Sequence, residues 1–77
     1  MPTDQDRADA IVNPRAGDVW QMVPGRLYAW QRHVVSADID GVWFDAYVGK
    51  TWLNHMCDTL SEWRKNVSNA TLVRRGA

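Results

Sequence analysis

Ser36-Ala37-Asp38-Ile39-Asp40-Gly41-Val42-Trp43-Phe44-Asp45-Ala46-Tyr47-Val48 is the stretch that decides the fold. Strand-forming residues flank an Asp-Gly pair on both sides. Asp-Gly is the strongest short hairpin signal, because a type I′ turn needs positive φ at both central positions. The reading is an antiparallel hairpin with Asp40-Gly41 as its two-residue loop. That loop pairs Ile39 with Val42, Ala37 with Phe44, Val35 with Ala46 and His33 with Val48. Side chains alternate along a strand, so these residues share one face. The set is nearly all apolar and is assigned to the core. The opposite face then pairs Asp38 with Trp43, Ser36 with Asp45 and Val34 with Tyr47. A slip of one residue would exchange the two sets.

Working outward, the strand before the turn extends back over residues 27–38. An earlier strand reads as Val19-Trp20-Gln21-Met22-Val23, opened by the turn chemistry of Arg15-Ala16-Gly17-Asp18 and closed by Pro24-Gly25. Residues 1–14 have no clear periodicity and read as a mobile tail; a helical turn at residues 8–12 would have no good cap. On the other side, Gly49-Lys50 breaks the strand and residues 51–56 form the next one. Thr59 and Glu62 stand at capping-box spacing, in which each side chain satisfies a free backbone N–H of the other. Leu60, Trp63 and Val67 follow as a single apolar helical stripe. Thr71-Leu72-Val73-Arg74 is a last short strand.

The fold expected is mostly β: a small five-stranded antiparallel barrel at residues 15–77, with one short helix before the last strand. Gly17-Asp18-Val19-Trp20 opening a strand, the residue 38–41 hairpin, and Leu60-x-x-Trp63 before a terminal strand resemble the small SH3-like barrel proteins. Many of these are encoded by bacteriophages and prophages. The resemblance spans residues 15–75 and rests on fold chemistry rather than on a catalytic motif. It implies a binding module, since that family includes protein-binding and nucleic-acid-binding members.

A chain of 77 residues makes one domain, and one this short buries little surface. Cys57 is its one cysteine, so no intrachain disulfide can compensate. Five tryptophans can, since each ring buries about 150–250 Å². Trp63 belongs to the core by its stripe, and Trp20 shares the inward face with Met22. Trp52 fits either face of its strand. A lone cysteine, an acidic polar N-terminal segment and no long apolar run point to a reducing interior and to no membrane; the resemblance implies that this interior is the cytoplasm of a bacterial host.

Net charge is zero but unevenly placed. Residues 62–77 are basic and residues 1–61 acidic. Arg64, Lys65, Arg74 and Arg75 therefore form a candidate phosphate-binding end.

No cofactor, metal or catalytic site is expected. His55 and Cys57, with Asp58, are too few and too local for zinc or for a nucleophile with its base. Asp38, Asp40 and Asp45 serve the turn. Gly49-Lys50-Thr51 ends like a phosphate loop, but Phe44 stands where that motif needs glycine. The face away from the core is the better candidate. A continuous second strand points Tyr28, Trp30 and Arg32 outward beside Trp43 and Tyr47. Tyr, Trp and Arg dominate binding hot spots. A non-enzymatic interaction module follows, binding a protein partner or a second copy through this face. Nucleic-acid binding by the basic end is the alternative.

Overall fold

A computed structural model of the chain describes residues 2–22 and 30–77. In chain order the elements are α1 (Asp4–Val12), β1 (Val19–Gln21), β2 (Gln31–Asp38), β3 (Gly41–Val48), β4 (Thr51–Asp58), α2 (Leu60–Val67) and β5 (Thr71–Arg74). The five strands make one antiparallel sheet in the order β4-β3-β2-β1-β5. Among the described residues β4 and β5 do not pair, so the sheet is open rather than closed into a barrel. Residue 23 of the expected first strand, the Pro24-Gly25 turn and residues 27–29 of the expected second strand lie outside the described residues.

Among the described residues two helices are present where one was expected. The segment read as a mobile tail is α1, and its cap was there to be read in Thr3 and Asp6. Thr3 Oγ1 accepts from the Asp6 N–H at 3.1 Å, and Asp6 accepts the Thr3 N–H at 2.9 Å. The capping box before α2 forms as its spacing requires, with the Thr59 N–H donating to Glu62 at 3.0 Å and the Glu62 N–H to Thr59 at 3.1 Å. Trp63 and Val67 of its stripe are fully buried and Leu60 packs against them. Both helices cover the same side of the sheet. The core there joins Ala10, Trp63 and Val67 to Trp20, Val34, Val42, Phe44, Ala46 and Leu72.

Three arginines hold α1 down, each through backbone carbonyls that the ends of helices leave unpaired. Arg7 donates to Ser68 and Ala70 at 2.7 and 3.1 Å. Arg64 donates to the Val12 carbonyl at 3.0 Å, and Arg75 to that of Asn13 at 2.9 Å. Arg75 also binds the Asp9 carboxylate and, at 2.6 Å, that of Asp18. The acidic beginning and the basic end of the chain thus answer one another.

The hairpin exists, but its loop is Ile39-Asp40, with Asp38 paired to Gly41. Neither central residue has positive φ, so the turn is not type I′. Asp at the first position and Gly at the fourth is instead the type I pattern. Asp38 supports it by accepting the Asp40 N–H at 2.7 Å. Gly41 is glycine for another reason: a Cβ there would lie 2.6 Å from the Asp58 carbonyl oxygen.

The register therefore differs from the expected one. Ala37 faces Val42 and Ser36 faces Trp43, but Val34 then faces Phe44. Val35 is an unpaired extra residue, a β-bulge. Beyond it the alternation of β2 is inverted. Val34 and Arg32, not Val35 and His33, share the core face with Phe44 and Ala46. A second bulge interrupts β4, where Asn54 and His55 together oppose Asp45. His55 takes a φ of 62°, and its N–H donates to Asp45 Oδ1 at 3.3 Å.

Candidate functional site

Facing residues in an antiparallel ladder lie on the same side of the sheet. Pairing of Val48 with Thr51 makes Gly49-Lys50 a two-residue loop and sets Tyr47 opposite Trp52. Gly49 has a φ of 63°, as the first position of a type II′ turn requires. On the side away from both helices, Trp52 then meets two rings. Its centroid is 5.0 Å from that of Tyr47 with planes at 42°, and 5.0 Å from that of His33 in an edge-on contact at 76°. Trp43 lies on this side as well, between Ser36 of β2 and Cys57 of β4. Trp52 is 48% exposed; Trp43, Tyr47 and His33 are half-buried.

His33 is tied in from its other side. Its Nε2 is 3.1 Å from Gln31 Oε1, and the Gln31 amide reaches Gln21 at 3.4 Å. Burial pushes the imidazole below its ordinary value, the Arg74 charge adds to that, and Asp45 opposes it. The neutral ring is favoured, which suits an apolar surface. The array is a surface for contact. Among the described residues, no three of His, Cys, Asp and Glu gather to hold a metal ion.

The expected outer set divides. Trp43 and Tyr47 lie on the outer face. Arg32 does not, because the Val35 bulge turns it inward. Its guanidinium sits 4.4 Å over the Phe44 ring and 5.5 Å from that of Trp63, and donates to Asp58 at 2.9 Å. Asp58 also accepts from the Asn66 amide at 3.0 Å. Trp30 goes with Arg32: both line a cleft of about 360 Å³ on the helix side, with Met22, Val48, Leu53 and Met56. Tyr28 lies outside the described residues. Two outer residues were missed. Trp52 could have been found from the Gly49-Lys50 loop, which fixes its pairing with Tyr47. His33 could not, because no sequence signal marks Val35 as supernumerary.

The basic end is dispersed. Arg64 and Arg75 bind α1, and Arg75 is nearly buried. Arg74 faces Val19 at the β5 edge, and Lys65 is exposed on α2. Of the four cations, which stand in sequence as the pairs 64–65 and 74–75, one from each pair is thus engaged with α1.

No helix among the described residues is long and apolar enough to cross a membrane. The chain matches no protein-family model, and neither a curated protein nor a solved structure is significantly similar to it.

Proposed function

We propose that this chain is a non-enzymatic interaction module that takes a protein partner on its outer face, with Trp52, Tyr47, Trp43 and His33 as the contact. One observation carries the reading: an exposed Trp in ring contact with both a Tyr and a His on the side of the sheet that neither helix covers. Aromatic rings held rigid by one another lose little entropy on binding and bring large contact area, which is why such residues anchor interfaces. The favoured neutral state of His33 lowers the desolvation cost of covering it.

The SH3-like architecture and the phage or prophage origin belong to the same proposal. What supports the architecture is the strand order and the helix directly before the last strand; closure between β4 and β5 is what it lacks. The involvement of Arg64 and Arg75 with α1 favours a protein partner over nucleic acid, whose non-specific binding depends on free cations.

A photo-crosslinking amino acid at position 52, with a control at the exposed Asn69, tests the reading in cells that carry the gene naturally. A discrete protein adduct from position 52, absent from the control and weakened by Tyr47→Ala, is expected. The same adducts from both positions, or none from 52, would overturn it. Tight binding of an oligonucleotide that weakens steeply with salt would replace it by the nucleic-acid reading.

A further inference from the structure

The tip of the β2–β3 hairpin carries the most exposed large apolar side chain of the described residues. Ile39 is 89% exposed, and it stands between two aspartates, Asp38 and Asp40. A turn position favours Gly, Pro, Asn, Asp or Ser. Isoleucine is not among these, and the side-chain bond that braces the turn comes from Asp38. Beside it lies a hollow of about 340 Å³, walled by Val12, Pro14, Ala37, Asp38, Leu60 and Arg64, with Ile39 itself on the rim. A projecting apolar knob thus borders a hollow lined by both apolar and polar side chains.

The charges match in the same way. Asp38 and Asp40 flank the knob, and neither makes an ion pair among the described residues. Arg64 forms a wall of the hole, with one nitrogen on the Val12 carbonyl and no carboxylate partner among those residues. A patch that holds both halves of a complementary contact is complementary to itself under a two-fold rotation. We propose that this patch, distinct from the outer aromatic face, is where two copies of the chain associate. Ile39 of each copy enters the hollow of the other, the two isoleucines meet near the axis, and the aspartates of each tip approach the partner copy's arginine. A foreign partner would have to reproduce both halves of this arrangement; a second copy already has them. The contact is small, so the dimer is weak and forms at high concentration.

Sedimentation equilibrium of the full chain, from about 10 µM to about 1 mM, at low and at high salt, tests this. The expected result is a concentration-dependent rise in mass that weakens with salt. Ile39→Ser is expected to raise the dissociation constant about tenfold or more, as loss of a buried Ile contact would. Asp40→Lys is expected to raise it at low salt in particular. Both residues are exposed, and an unchanged circular dichroism spectrum and melting temperature would verify the fold. Trp52→Ala should leave the mass unchanged, which separates this surface from the outer face. A wild-type chain that stays monomeric throughout would overturn the proposal, even if the tip were then found to bind a different protein or a lipid surface. So would association that Ile39→Ser leaves intact.

Discussion

The guanidinium of Arg75 and the carboxylate of Asp18 meet at 2.6 Å, and the carboxylate is wholly buried. Asp18 also accepts the backbone N–H of Arg15 at 2.9 Å and of Gly76 at 2.6 Å. A buried anion is tolerable only when charge and hydrogen bonds both answer it. Arg75→Ala leaves the anion with amides alone, and frees Asp9 and the end of α1 as well. A loss of about 3–5 kcal/mol is expected in urea unfolding. In a domain this small that is most of the stability, so Arg75→Ala should be largely unfolded at 37 °C.

Trp63 and Trp20 are each fully buried, and neither indole N–H has a hydrogen-bond partner among the described residues. An orphaned buried donor costs about 1–3 kcal/mol. Trp63→Phe removes that donor while leaving a small cavity, and the two effects oppose one another. Trp63→Phe should therefore lie within about 1.5 kcal/mol of wild type, while Trp63→Ala should lose at least about 3 kcal/mol. Equal, large losses in both variants would show that ring volume alone decides.

His55 holds a left-handed backbone conformation that suits glycine. His55→Gly should raise stability by up to about 1 kcal/mol, and His55→Val should lower it by more than that. Thermal melts of the pair measure the difference. If both variants behave alike, the bulge does not hold that conformation in solution.

At Gly41, a Cβ would press on the Asp58 carbonyl at 2.6 Å, and the contact is backbone rather than a side chain that could swing away. Gly41→Ala should cost about 1–3 kcal/mol by forcing β3 and β4 apart. Faster amide exchange at Val42 and Trp43 than in wild type would locate the damage.

Stability should fall with acid in two steps. Below its ordinary value of 6.5, His33 protonates readily in the unfolded chain but resists it when folded, because burial depresses its affinity. The unfolded state therefore binds more protons, and stability declines as pH falls through that region. His33→Gln should abolish this first step. The caps supply the second. Glu62 is held below 4.5 and Asp6 below 3.8 by hydrogen bonds from the Thr59 and Thr3 backbones and hydroxyls, and Asp9 below 3.8 by Asn13 and Arg75. Their contribution is intact above those ordinary values and is lost as pH drops through the lower folded ones. Urea midpoints at half-unit pH intervals would resolve the two steps.

Local chemistry in this chain was legible from sequence, and pairing was less so. The capping box at Thr59, the stripe of α2 and the bounds of β5 follow from side chains within a few residues of each other. The hairpin was legible too, but not its loop. Asp-Gly fits positions two and three of one turn type, and Asp-x-x-Gly fits the ends of another, so the tie was broken by the close approach of β4 to Gly41. The buried role of Asp18 was hidden because Arg75 is distant in sequence. The face of Arg32 was misassigned through strict alternation, which a single unpaired residue invalidates.

The same unpaired residue says something about length. Val35 in β2, and the doubling at Asn54-His55 in β4, flank a β3 that has no extra residue of its own. The faces of β2 and β4 follow what lies opposite on β3. Losing codon 35 would shorten β2 and still leave Val34 facing Phe44, with Arg32 facing inward. β3 serves as a ruler against which its neighbours can gain or lose a residue over generations without exchanging the molecule's inside for its outside.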